Sequence, residues 1–151
     1  MGVMADAGAR PAKAAAKREL RLIALAGVPL VPPKVARVQL PGGGSAVAAI
    51  QALLGSSVRV VSAFQNVAAH LLQDLGHEVE CDVLVCGDDV SARETVIGLA
   101  GDIGLRGIHA GSIANSAAAE ALTSVLIAIN SRYKIPGGAG IRITRLDGVE
   151  H

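Results

Sequence analysis

Aromatic residues are almost missing from this chain: Phe64 and Tyr133 stand alone, and there is no tryptophan. Nucleic-acid sites usually need stacking platforms of that kind. No nucleic-acid partner is therefore expected, and the core must be built from Val, Leu, Ile and Ala. Cysteine is nearly as scarce. Cys81 and Cys86 lie in a segment that reads as a strand, where their odd spacing points them to opposite faces. They match neither a disulfide nor a zinc spacing, so free thiols and a cytoplasmic location are expected. Long apolar runs are absent too. Residues 22–31 are too few, and residues 110–130 are interrupted by Asn115, Glu120 and Thr123, against the roughly 18 to 20 residues a bilayer needs. No membrane partner is expected. His70, His77, His109 and His151 are scattered, without the spacing of a metal set. Residues 110–114 lack the glycine that a nucleophile elbow places two positions after its serine. Asp88 and Asp89 are adjacent and diverge, so they form no facing acid/base pair. Neither a metal site nor a protein-borne catalytic residue is expected.

The 151 residues are 51% hydrophobic and 18% charged, enough apolar material for one domain and too little charge for disorder. The net charge of +1 is unevenly spread: residues 1–40 carry +5 and the remainder −4. Residues 1–27 read as a basic, Ala-rich arm plus an apolar segment, and residues 28–151 as the folded domain. The arm is expected to be a solvated or locally helical tail, with an anionic partner or organelle targeting as alternatives.

Residues 22–31 form an apolar segment broken by Pro29, Pro32 and Pro33, so any strand in it is short. A second extended piece is expected over 35–40. Gly42, Gly43, Gly44 and Ser45 then lead into a helix over 45–54, with Ser45 as its cap and Gly55 as its stop. That glycine run reads as a turn and cap, with an anion contact as the alternative. Strands are expected over 58–63, 81–86 and 105–110, because continuous rather than alternating apolarity suits a parallel sheet covered on both faces. Helices are expected over 68–74, from Asp88 or Asp89 to about 103, and from 113 to about 131. The last is apolar over more than half its circumference. The tail over 133–146 reads as an added edge or a segment crossing to another subunit.

This order predicts an α/β fold: a partial Rossmann-like, mainly parallel sheet of three to four strands with flanking helices and a long C-terminal apolar helix. Ligands in such sheets bind beyond the carboxyl ends of the strands. That rule points to the loops over 63–67, 87–89 and 110–115. In the first, Gln65 and Asn66 offer side-chain amides and Phe64 an apolar wall, although Asn66 can equally cap the next helix. His109 reads as a surface or supporting histidine, with proton donor as the alternative.

Several blocks in order carry a specific resemblance: Val58-Arg-Val-Val-Ser-Ala-Phe-Gln-Asn-Val67, Cys81-Asp-Val-Leu-Val-Cys-Gly-Asp-Asp89, Gly104-Leu-Arg-Gly-Ile-His-Ala-Gly111 and Glu120-Ala-Leu-Thr-Ser-Val-Leu-Ile-Ala-Ile-Asn130. They are followed by Arg132-Tyr-Lys and Gly140-Ile-Arg-Ile-Thr144. Together, over about residues 28–146, they resemble the later part of the NADPH-dependent deazaflavin-coenzyme (coenzyme F420) reductases. The resemblance implies NADP and coenzyme F420 as cofactors. It also implies ring-proximal contacts at Ala63, Phe64, Gln65, Asn66 and Val67, and a deazaflavin-side loop at Ala110, Gly111 and Ser112. Hydride transfer would pass between nicotinamide C4 and deazaflavin C5 with the rings about 3 to 3.5 Å apart. Where the family has proline after Ala-Gly this chain has Ser112, and Arg145 stands where the family has glycine. No strand-GxGxxG-helix fingerprint occurs in the 151 residues. A truncated chain that is inactive in isolation is therefore expected. The alternative is a non-catalytic structural or oligomerisation domain, and in either case self-association through residues 113–131 is expected.

Overall fold

A computed structural model describes residues 22–28, 30, 32–69, 72 and 80–146. The expected basic arm, most of the helix placed over 68–74, and His70, His77 and His151 lie outside the described residues. The element order is β1 (Leu22–Leu25), α1 (Ala46–Leu54), β2 (Arg59–Ser62), β3 (Asp82–Val85), α2 (Val90–Asp102), β4 (Arg106–His109), a 3-10 turn (Ile113–Asn115) and α3 (Ser116–Tyr133). Residues 35–40, expected to be extended, begin instead in turns, with the Arg37 amide donating to the Lys34 carbonyl. Pro32 and Pro33 precede them and disfavour a ladder there.

The helices begin and end where local chemistry places them. Ser45 accepts a hydrogen bond from the Ala48 amide, and Gly55, at φ +70°, closes α1 through a bond to the Gln51 carbonyl. Asp89 caps α2 by accepting from the Ala92 amide. Asp88 turns the other way and accepts from the Ile113 amide at 3.0 Å. The two adjacent carboxylates thus serve two different elements.

The strands form two parallel pairs, β1 with β2 and β3 with β4, instead of one continuous ladder. The pairs meet at Ser62 and Cys86 in an isolated antiparallel bridge, where each amide donates to the other's carbonyl at 2.8 and 2.9 Å. β2 and β3 arrive head-on at their carboxyl ends, so a parallel ladder cannot run through them. Both faces of β2 are covered nonetheless. Val61 joins Val83, Val85, Val96 and Ala100 in the larger core cluster, while Val60 packs with Val47 and Ile113 on the other side.

The tail folds back on its own chain. The Asp82 amide donates to the Ile141 carbonyl, and the Ile143 amide donates to the Asp82 carboxylate. Helix α3 buries Ser116, Ala119, Glu120, Ser124 and Leu126. By length and composition, residues 113–133 are long and apolar enough to cross a bilayer, a property that core helices share. The fully buried Glu120, bonded to α1, makes α3 an integral wall of this domain.

Candidate functional site

The loop at the end of β2 is built around a strained residue. Phe64 has φ +68°, a left-handed conformation that costs a bulky side chain roughly 1 to 3 kcal/mol. Its neighbours hold it there: the Ala63 amide donates to the Leu25 carbonyl, and the Val67 amide donates back to the Phe64 carbonyl. Phe64 stays half-buried against the larger core cluster, whereas Gln65, Asn66 and Val67 are buried.

The two side-chain amides of this loop are engaged by the protein. Asn66 donates through Nδ2 to the Asp82 carbonyl, and its Oδ1 accepts from the Leu84 amide at 3.4 Å, so it straps the loop to β3. Gln65 donates through Nε2 to the Leu25 carbonyl at 3.2 Å and to the Ser62 hydroxyl. Its Oε1 is buried and has no hydrogen-bond partner.

The second loop lies next to β3. The Gly87 amide donates to the Gly111 carbonyl at 3.0 Å, and Ala110 donates to Val85. Gly111 has φ +95°, and a Cβ built on it would lie 2.6 Å from the Asn115 side-chain nitrogen, which donates to the Ala110 carbonyl. Only glycine suits that position. Ser112 is exposed, and its hydroxyl makes no cap hydrogen bond. Cys86 and Gly87 thus stand between the loops over 63–67 and 110–112, and backbone bonds link them on both sides. His109, exposed at the end of β4, accepts from Arg93 Nε through Nδ1 at 3.2 Å.

Both thiols are free and buried. Burial pushes the Cys86 thiol up to about 11 and raises that of Cys81 as well.

The glycine-led N-terminus of α1, where an anion contact was the alternative reading, is filled from within. Glu120 of α3 accepts from the Ala46 amide at 2.8 Å, the Val47 amide at 3.2 Å and the Ser45 hydroxyl at 2.6 Å. Ser116 bonds the same hydroxyl at 2.5 Å. A carboxylate of the protein therefore occupies the place a phosphate would take. Sequence reasoning passed over Glu120, reading it only as an interruption of an apolar run.

It also passed over the inner face of α3. Thr123 donates to the Gln65 carbonyl at 2.6 Å, and seven residues on, Asn130 carries a second buried side-chain oxygen without a partner. Two polar residues seven apart on an apolar helix share one face, which was the available signal. Among the described residues no cluster of His, Cys, Asp or Glu is arranged to hold a metal ion.

No protein-family model matches the chain. A Methanocaldococcus jannaschii protein named F420-dependent NADP reductase is 44% identical over 137 residues, covering 87% of this chain and 60% of that protein. Its Methanothermobacter thermautotrophicus namesake is 37% identical over 110 residues, covering 72% of this chain and 47% of that one. Among solved structures, a candidate F420-dependent NADP reductase from Arthrobacter sp. FB24 superposes with a TM-score of 0.68 at 23% identity, covering 82% of this chain and 58% of that one. That likeness extends the Rossmann-like reading of the fold. The chain spans about half to three-fifths of the length of the relatives it matches. Over the part it spans, the chain is homologous to the F420-dependent NADP reductases.

Proposed function

We propose that this chain forms the ring-binding part of a system that moves hydride between NADP(H) and the 5-deazaflavin coenzyme F420. The observation that carries the reading is the 44% identity across 87% of the chain to a protein named for that activity. The ring end of such ligands suits the residues present. Phe64 offers a partly exposed apolar wall, Ala110 and Gly111 add no bulk, and the Ser112 hydroxyl is unused by the fold. The phosphate end does not suit the glycine-led start of α1, because Glu120 fills it. When bound, the two cofactors supply the redox chemistry, and the protein's share is to orient and shield them. Asn66 acts here by fixing the loop to β3 rather than by touching a ring.

With Glu120 in the start of α1, any binding energy lost at the phosphate end would also loosen orientation at the ring end. The isolated chain is therefore expected to bind coenzyme F420 without sustaining turnover with NADPH. Equilibrium dialysis should detect F420 binding that Phe64→Ala weakens about tenfold, equivalent to roughly 1.4 kcal/mol. The reading fails if F420 does not bind, and the expected inactivity fails if the chain alone turns over at an ordinary rate of about 1 to 1000 per second.

Self-association belongs to the same proposal. On α3, Val125, Ile129 and Tyr133 are exposed, at 44%, 37% and 71% respectively, and their spacing of four residues makes them one stripe. An apolar stripe of that length is an association surface. Sedimentation at tens of micromolar should give a dimer that Ile129→Glu dissociates, and a clean monomer of the parent chain would reject the idea.

A further inference from the structure

Peptide groups hold the middle of the loop over 110–112: Ala110 donates to the Val85 carbonyl, and the Gly111 carbonyl accepts from the Gly87 amide. Asn115 and Asp88 add side-chain bonds to the Ala110 carbonyl and the Ile113 amide. The bond at the entrance to the loop has a different character. Arg93, half-buried on α2, donates through Nε to Nδ1 of His109 at 3.2 Å, and through Nη1 to the Gly87 carbonyl. It therefore joins the residue that leads into the loop to the residue whose amide holds the loop's middle.

The close approach depends on local geometry. The Arg93 amide donates to the Asp89 carbonyl at 3.2 Å in the first turn of α2, which sets where the side chain begins. A Cβ on Gly87 would lie 3.4 Å from Arg93 Cγ and 3.2 Å from the Val60 carbonyl oxygen. Without that Cβ the arginine stem lies against the backbone it serves.

A guanidinium only donates and stays charged, so Nδ1 of His109 offers its lone pair and the ring proton sits on Nε2. An imidazolium has no lone pair, and its charge would face a second cation. The bond thus exists only with a neutral His109. Histidine is the side chain that changes charge between about pH 5 and 8. On β3 the register partner of His109 is the apolar Val85, and Cys86, next along, stays a neutral thiol because burial raises it. The two carboxylates at the start of α2 are engaged elsewhere, Asp88 with the Ile113 amide and Asp89 with Arg59, Ser91 and the Ala92 amide.

We propose that Arg93 is a positioning residue for the loop over 110–112, and that protonation of His109 releases it, which makes the entrance of the loop a proton-sensitive latch. As a control on ligand binding the latch rests on the hydride-transfer reading of this loop; as a property of the fold it does not.

The test follows the His109 ring and backbone amide exchange in the full chain at about pH 7.5 and about pH 5.5. At the higher pH the ring should carry its proton on Nε2. At the lower pH the protection of the Gly87 amide, corrected for intrinsic exchange, should fall about fivefold, the worth of one ordinary hydrogen bond. Arg93→Met keeps the stem and removes the donors, so its Gly87 amide should be weakly protected at both pH values. His109→Asn sets an amide oxygen near the place of Nδ1 and does not titrate, so it should stay protected at both, and it decides the matter alone if the methionine variant does not fold. The proposal is overturned if the neutral ring carries its proton on Nδ1, if Gly87 protection is unchanged while the ring titrates, or if either folded variant keeps the pH response of the parent. None of these readouts uses coenzyme F420, so a failure of the latch and a failure of F420 binding are told apart.

Discussion

Replacing Glu120 with alanine is expected to remove about 2 to 6 kcal/mol of stability, the cost of leaving two buried amides without their acceptor. Glu120 is 1% exposed, and both its oxygens are used. Alanine leaves the Ala46 and Val47 amides unsatisfied inside the protein, each at a cost of about 1 to 3 kcal/mol, and opens a void between α1 and α3. Ser45 already turns its oxygen toward the Ala48 amide. Against a total of about 5 to 15 kcal/mol for an ordinary domain, such a loss approaches unfolding. Glu120→Gln keeps the volume and one acceptor, so its cost should be smaller, about 1 to 3 kcal/mol. Urea unfolding of the two variants measures both. A loss below about 1 kcal/mol in the alanine variant would mean that water or Ser116 satisfies the helix start instead.

The second large effect lies at the other end of the domain. Arg106 grips Asp82 through two bonds, Nε to Oδ1 at 2.7 Å and Nη2 to Oδ2 at 2.8 Å, and also donates to the Ile143 carbonyl at 2.9 Å. The Asp82 side chain is 2% exposed and that of Arg106 is 33%. Arg106→Leu should therefore cost about 3 to 4 kcal/mol, the lower part of the range for an orphaned buried charge, and should loosen the tail that Asp82 holds through Ile143. The Arg106 guanidinium, helped by the Ile143 amide, also holds the Asp82 carboxyl below the usual carboxylate range. A lowered folded value means that this contribution is present above the unfolded value of about 3.9 and is lost as pH falls through the folded one. Unfolding midpoints of the parent and Arg106→Leu should accordingly be widely separated at neutral pH and converge in acid. Curves that stay parallel down to about pH 3 would show that the two groups contribute no coupled charge energy.

Local signals in the sequence were sufficient for elements and poor for their assembly. Ser45, Gly55 and Asp89 mark helix ends because capping is decided within four residues. The apolar runs around Val60 and Val83 mark strands because coverage on both faces leaves no polar alternation, whereas β4 is only half-buried and ends on the exposed His109. The head-on meeting of Ser62 with Cys86 has no such local mark, since either direction of approach buries the same side chains. Glu120 was illegible for a related reason: its partners lie more than 70 residues earlier, at Ser45 and Ala46. In the candidate site, the position of both loops at strand ends was readable. The use of Asn66 as a strap was not, because an amide before a helix and an amide reaching a neighbouring strand look alike in one dimension.

The line of backbone bonds across the strand ends, from Leu25 through Ala63, Ser62, Cys86 and Gly87 to Gly111, bears on how such a site can be altered. Those bonds are made by peptide groups, which every residue except proline supplies in full. The separation of the two loops is therefore written in main-chain geometry, and on the proposed reading an exchange of the exposed Ser112 side chain alters what the opening recognises without altering its width. A scaffold of this kind tolerates a change of ligand by substitution at its rim, and loses its shape only when the amides themselves are disturbed.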